Sequence, residues 1–243
     1  MDLFIPDRPE IAPTATDDLR TDPDVRSIPL EDVPPDQQAC LVVVGRPGVH
    51  AAVAAGCPVP VLVVDGPPGI PSVERDHLDA ALETVRAADH ARHSMPIIQL
   101  DTPDGTVPVA FDAKLMTEAP AAISEFAITC GEEAVAQYRA DGVVLATPMG
   151  SSGYARAGGG TVCSPTLDGI SVVPIAPYRT NPRHWLLDGD VGVRIARDEE
   201  LVTVIVDDEA VTTLGEDDAI VARLDGRLIC CDVPAGRSAF ADA

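Results

Sequence analysis

The sequence predicts an α/β N-terminal domain, doubly wound and Rossmann-like, followed by an all-β C-terminal domain. Two observations carry this. In the first ninety or so positions, apolar β-branched runs alternate with helix-patterned segments. From Met95 onward, short strand-like runs follow one another between turn signals. A third observation concerns the core: 46% of the 243 residues are hydrophobic but only 3% aromatic, so small aliphatic side chains must fill it. That length buries one large or two modest domains.

Taken in order, residues 1–36 are rich in Pro and Asp and read as a first strand or a partly disordered arm. The α/β domain is expected over 37–94. Residues 39–45 (ACLVVVG) form a buried strand of parallel type. A turn RPG follows, then a short helix VHAAVAAG closed by Gly56. Residues 59–65 (VPVLVVD) make the next buried strand, with GPPGIP as its turn. The spacing of Leu78, Leu82 and Val85 predicts a helix over 75–93. The β-rich domain is expected over 95–225, with strands in PIIQL, TVPVAF, ISEFAIT, AVAQY, DGVVLAT, ISVVPIAP, VGVRIA, LVTVIVD, DAIVARL and RLICCDV. Asp104-Gly105, Cys130-Gly131 and Asp225-Gly226 supply turns.

Charge narrows the setting. Asp and Glu total 39 against 17 Lys and Arg, a net charge of −22. Lys114 is the single lysine; the other basic residues are arginine. This balance fits the cytoplasm of a salt-accumulating halophile, where at about 1 M salt the Debye length is about 3 Å and self-repulsion is screened. The same charge argues against nucleic acid or an anionic membrane as the main partner. Residues 1–6 lack the basic start and apolar run of a signal peptide. No apolar segment reaches the roughly 18 residues of a membrane span. A cytoplasmic location is expected.

Cys40, Cys57, Cys130, Cys163, Cys230 and Cys231 contain no C-x-x-C pair, so zinc and thiol-redox motifs are absent, and all six are expected as buried thiols. His90 and His93 beside Asp89 offer no third ligand, and a surface helix accounts for them; no metal site is predicted. Walker A, zincin and nucleophile-elbow motifs do not occur.

The richest stretch is 141–162, DGVVLATPMGSSGYARAGGGTV. A strand-type run ends at Pro148 and gives way to Gly150, Ser151, Ser152, Gly153 and Tyr154, with RAGGG close behind. Small residues let a ligand approach the backbone, and amides and hydroxyls suit phosphate or ribose oxygens; a Gly/Ser hairpin is the alternative on composition alone. The whole string, D-G-x-x-x-x-T-P-x-G-S-x-x-Y followed by a Gly-Gly pair, resembles the signature of the NAD kinase family. SVVPIAP at 171–177 is similar to that family's strand ending in a P-I-x-P turn. The resemblance implies an NAD kinase-like two-domain fold whose C-terminal tail, 226–243, returns to the first domain. It also implies phosphoryl transfer from ATP or polyphosphate, with Mg²⁺ held mostly by nucleotide phosphates, to the adenosine-ribose 2′-hydroxyl of NAD. A homo-oligomer is implied as well.

Carried over residue by residue, the resemblance makes Ser152, Gly153 and Tyr154 dinucleotide contacts. Thr147, Gly150 and Ser151 belong to the same motif, Asp141 becomes a hydrogen-bond acceptor, and Ala176 a small residue that admits the ligand. The family's Gly-Gly-Asp-Gly loop corresponds to Gly45-Arg46-Pro47-Gly48. The outer glycines remain and Arg46 suits a phosphate or a solvated loop. Pro47, where the family has its catalytic aspartate, has neither an ionisable group nor an N–H. The family's Asn-Glu pair aligns with Asp112-Ala113, so Asp112 is either a ribose acceptor or a polar residue on an exposed strand face. Asp207 reads as a solvated acidic turn. With the usual base missing, Asp65 and Asp112 are the candidate replacements. The expected function is that of an NAD kinase; the alternatives are a catalytically inactive NAD(P)-binding regulatory relative and a kinase for another hydroxyl-bearing nucleotide.

Overall fold

The structure, a computed structural model, describes residues 2–7, 25–36, 38–118, 123–178, 183–197 and 201–240. The stretch 8–24 of the expected N-terminal arm lies outside the described residues. The chain divides into two compact units, Met1–Met95 with Arg227–Ala243, and Pro96–Gly226.

The first unit is built on parallel strands: β1 (Leu3–Pro6), β2 (Val25–Ile28), β3 (Cys40–Val44) and β4 (Val61–Val64). They lie in the order β2-β1-β3-β4. The 1–36 stretch therefore contributes two strands, at Leu3–Pro6 and Val25–Ile28. Every residue of β3 and β4 is buried, as expected of a sheet covered on both faces. Cys40, Val42 and Val44 share one core cluster with Leu78, Ala81, Leu82 and Val85 of helix α2 (Leu78–Arg86). Helix α1 (Gly45–Ala54) connects β3 to β4 and buries Val49, Ala52 and Val53.

Two sequence expectations change here. The RPG turn is instead the first turn of α1, which starts at Gly45; Pro47 is tolerated there because a first-turn N–H has no partner in the helix anyway. The helix expected over 75–93 is a 3-10 turn (Arg75–His77) followed by α2, and it stops at Arg86. His93 then lies in strand β5 (Ala91–Thr102), where its Nε2 meets the Asp232 carboxylate at 2.9 Å.

The second unit is a sandwich. After β5 come β6 (Gly105–Val109), β7 (Asp112–Thr117), β8 (Ser124–Cys130), β9 (Glu133–Ala140) and β10 (Gly142–Ala146). The remaining strands are β11 (Ile170–Ile175), β12 (Trp185–Leu187), β13 (Val191–Arg197), β14 (Val202–Val206), β15 (Glu209–Leu214) and β16 (Ala219–Asp232). One sheet runs β12-β11-β10-β7-β14-β15, with antiparallel neighbours throughout. The other includes β16-β13-β8-β9 and the β5-β6 hairpin. Alternate residues of both sheets, among them Ala113, Leu115, Val143, Leu145, Phe126, Ile128, Val193 and Ile220, fill the space between them. The expected turn at Asp225-Gly226 is not a chain reversal. β16 runs through it as one strand, and Gly226 takes φ +98°.

The last residues of β16 return to the first unit, where Cys230 pairs in parallel with Val61 of β4. Cys40, Cys163, Cys230 and Cys231 are buried, whereas Cys57 and Cys130 are only half-buried. The Cys40 and Cys231 sulfurs approach to 3.8 Å. That contact and burial hold the Cys40 thiol well above its usual range. β4 lies between their strands, which puts their backbones roughly 9–10 Å apart, beyond disulfide reach.

Candidate functional site

In the second unit the candidate residues gather at one end of three adjacent strands. The register sets Ala146 of β10 opposite Asp112 of β7, and Val206 of β14 opposite Ala113. The chain leaving β10 (147–154), the chain entering β7 (110–112) and the turn after β14 (207–208) therefore meet. Residues Asp112, Lys114, Val144 and Ala146 share the sheet face that points away from the sandwich core. On that face Val144, Ala146 and Val173 pack against Ala155 of the short helix α3 (Tyr154–Ala157).

The chain reversal after β10 is locked from within. The Thr147 hydroxyl donates to the Ala110 carbonyl at 2.7 Å and accepts the Gly150 amide at 3.1 Å. The Thr147 amide donates to the Phe111 carbonyl at 2.9 Å. Ser151 Oγ donates to the Pro148 carbonyl at 2.6 Å and accepts the Cys163 amide at 2.9 Å. Both side chains are fully buried. Thr147 and Ser151, expected as ligand contacts, are thus internal struts that shape the turn. At Gly150 a Cβ would lie 1.9 Å from the Phe111 carbonyl oxygen, so only glycine fits.

Beyond the struts lies a 3-10 turn (Met149–Ser152), then Gly153 and α3. Ser152 Oγ is buried with no hydrogen-bond partner among the described residues, whereas Gly153 and Tyr154 are exposed. An unmatched buried hydroxyl beside exposed small and aromatic residues is where a ligand's polar edge would be satisfied. The run behind α3 turns back along the sheet: a Cβ on Gly158 would touch Ile175 and Val173, and one on Gly159 would touch the His184 ring.

Asp141 and Ala176 do not join this cluster. They flank the Gly142–Ile175 pair at the opposite end of β10 from Thr147, roughly 17–20 Å along the strand. Asp141 uses its backbone to bond Ile175 and Thr117. Ala176 is exposed and holds the left-handed φ of +44°.

Asp112 is 1% exposed, which corrects the exposed-face reading. Its carboxylate lies 3.6 Å from Lys114 Nζ. Lys114 also meets Asp208 Oδ1 at 2.5 Å and stands 5.4 Å from the centre of the Tyr154 ring. Asp207 is not a solvated acid either. Buried at 6% exposure, it accepts the backbone amides of Ala110 (2.7 Å), Phe111 (2.8 Å) and Asp112 (3.1 Å). Sequence reasoning missed both Lys114 and Asp207. The one available signal was that Lys114 is the chain's single lysine and lies two residues from Asp112.

In the first unit, Gly45 takes φ +62° where β3 becomes α1, and its neighbour across the sheet is the end of β4. Arg46 and Gly48 fall in that first helical turn, Gly48 buried and Arg46 half-buried. Asp65 follows β4 with φ +49° and accepts the Arg75 amide (3.1 Å) and guanidinium (3.2 Å). It borders a cleft of about 390 Å³ shared with Gly66, Glu74, Arg75, Asp76 and Arg237. Among the described residues no group of three or more His, Cys, Asp or Glu is arranged to hold a metal ion. No described helix is long and apolar enough to cross a membrane.

Residues 112–227 match the family model described as the ATP-NAD kinase C-terminal domain. An NAD kinase from Methanosarcina barkeri is 35% identical over 94 residues, 38% of this chain and 34% of that protein. One from Methanothermobacter thermautotrophicus is 28% identical over 123 residues, 51% of this chain and 44% of that protein. The matched segments thus span between a third and a half of those relatives' own length. In fold, the chain is similar to yeast NADH kinase complexed with NADH, with TM-score 0.71 at 19% identity over 86% of this chain and 66% of that one. It is also similar to an NAD kinase from Archaeoglobus fulgidus in complex with ATP, with TM-score 0.66 at 17% identity over 94% and 92% of the two chains. Its mixed α/β unit and antiparallel sandwich are the two-domain NAD kinase fold. Residues 112–227 thus match the NAD kinase C-terminal domain, and the chain shares the fold of solved NAD and NADH kinases.

Proposed function

We propose that the protein phosphorylates the adenosine-ribose 2′-hydroxyl of NAD to give NADP, with ATP or polyphosphate as donor. The observation that carries this reading is the turn after β10, braced by Thr147 and Ser151, which presents Ser152, Gly153 and Tyr154 beside a buried carboxylate, Asp112. Asp112 is our choice of base over Asp65, whose carboxylate is already bonded twice to Arg75. In the step, the 2′-oxygen bonds to the terminal phosphorus of the donor and the bond from that phosphorus to its bridging oxygen breaks. The shortened donor leaves, and the hydroxyl proton passes to the carboxylate. Mg²⁺ held by donor phosphates would supply charge neutralisation.

Pro47 supports a second reading, in which the chain binds NAD(P) without turnover. The two separate in one experiment: NADP formation from NAD, ATP and Mg²⁺, measured with calorimetric NAD titration of the same sample. Turnover that falls by about 10²–10⁴ in Asp112→Asn and far less in Asp65→Asn supports the kinase and its base. NAD binding without turnover establishes the second reading. Absence of both removes the dinucleotide reading.

The acid-rich surface leads us to propose a halophilic protein. Its melting temperature is expected to rise steadily between 0.1 and 2 M KCl as repulsion among carboxylates is screened. A flat or falling dependence in a scanning calorimeter would remove the halophilic assignment.

A further inference from the structure

We infer that Lys114 is the residue that recognises the phosphate placed on the ribose, and so makes the site prefer a 2′-phosphorylated dinucleotide to its unphosphorylated form. The inference rests on the dinucleotide reading above.

Composition gives the first argument. A chain in which every other cation is arginine has kept one lysine, and it is not on the surface. Its side chain is 12% exposed, on the outer face of β7, walled by the Tyr154 ring and the Asp112 carboxylate. An arginine's broad planar fork fits such a slot poorly, while a compact ammonium with three donors fits well. Geometry gives the second. Nζ lies 3.6 Å from the carboxylate proposed to take the ribose proton, so it stands beside the oxygen that becomes phosphorylated. The third argument is the other partner. Asp208, at 2.5 Å, is 60% exposed and follows the strand end at a left-handed φ of +79°. An exposed carboxylate held against a sheltered ammonium is a counter-ion that an incoming dianionic phosphate can replace, because phosphate brings more charge and three acceptor oxygens to the same donors. Asp112, by contrast, is buried and stays in place. A ribose bearing only hydroxyls offers Lys114 nothing stronger than Asp208 already does.

The test is calorimetric titration of the full chain with NAD and with NADP, for the unaltered protein, Lys114→Met and Lys114→Arg. The unaltered protein is expected to bind NADP at least tenfold more tightly than NAD. Lys114→Met should weaken NADP binding by about 10–100-fold, the worth of a charge-assisted hydrogen bond, and change NAD binding less than threefold. Equal losses for both ligands would show that Lys114 only positions Tyr154 and Asp112, and would overturn the inference, as would no loss for either. A second measurement needs no variant. Because Lys114 is the single lysine, acylation by an amine-selective reagent, read by mass spectrometry, reports on it alone among side chains. NADP should slow acylation more than NAD at equal saturation, and equal protection would overturn the assignment. If the unaltered protein bound neither ligand, the dinucleotide reading would fail first. NAD binding with an unchanged NAD/NADP ratio in Lys114→Met would sink the lysine role alone.

Discussion

Replacing Gly150 by alanine is expected to destabilise the second unit by about 3–4 kcal/mol, lowering the melting temperature by roughly 6–16 °C and abolishing dinucleotide binding. The added Cβ would fall 1.9 Å from the carbonyl oxygen, 2.4 Å from the carbonyl carbon and 2.9 Å from the Cα of Phe111. These are backbone atoms, so no side-chain rotation relieves the overlap, and the two chain segments must part by more than 1 Å. Parting them strains the Thr147 bonds to Ala110 and Phe111, which are what hold the turn against the strand end. The cost is therefore overpacking plus broken buried hydrogen bonds. Gly153→Ala serves as the comparison: its Cβ would meet only the Gly150 carbonyl, at 3.3 Å. Although its backbone (φ −92°, ψ −126°) lies outside the broad α and β basins, the cost should be smaller because no backbone atom stands within 3 Å. Calorimetric melts of both variants check the claim. A Gly150→Ala protein that melts within 2 °C of the unaltered chain and still binds NAD would show that the turn is not braced as described.

The difference between these two glycines also marks the limit of what the amino-acid sequence makes legible. The string 147–154 was legible as a ligand-facing turn because its residue types are so unusual together. Which hydroxyl faces inward was not, since Thr147, Ser151 and Ser152 are chemically alike and only the fold decides that the first two are consumed by neighbouring backbone. Asp141 looked close to the motif because six residues separate it from Thr147. In a strand, six residues are roughly 20 Å, and it lies at the far end. β3 and β4 were legible as unbroken apolar runs, which a sheet covered on both faces requires. β7 was not anticipated as a strand, because its Asp-Ala-Lys start puts charges on a face that α3 and the turn happen to shelter. The helix expected to reach residue 93 ends early because Ala91, Arg92 and His93 open β5 instead, a choice made by pairing rather than local propensity. Asp207 is the clearest case. Its partners lie some ninety-five residues away in sequence, and nothing in the local run Val206-Asp207-Asp208 separates a buried clamp from a surface turn.

That clamp yields the second large effect. Asp207→Asn keeps size and shape, and asparagine tolerates the left-handed φ of +47° at least as well as aspartate. The change therefore isolates hydrogen bonding. Ala110 donates to one carboxylate oxygen, while Phe111 and Asp112 donate to the other. An asparagine has a single acceptor oxygen, so its NH₂ must face at least one of these amides, donor against donor. With the oxygen kept toward Phe111 and Asp112, Ala110 is orphaned; with it flipped, two amides are. Each buried orphan costs about 1–3 kcal/mol, and the loss of charge weakens the bonds that remain. The expected destabilisation is about 2–5 kcal/mol. The effect reaches the site because the clamped segment carries Asp112 and supplies the carbonyls that fix Thr147. NAD affinity should accordingly fall by at least tenfold even at temperatures where the variant is folded. The comparison is Asp208→Asn, one residue on and 60% exposed, whose loss should alter stability by no more than about 1 kcal/mol. Denaturant unfolding of the two variants, with NAD titration in the folded range, decides the matter. Equal stability losses at 207 and 208 would mean that the three amides contribute nothing special. A stability loss at 207 with NAD affinity intact would mean that the segment from Ala110 to Asp112 supports the sheet but not the site.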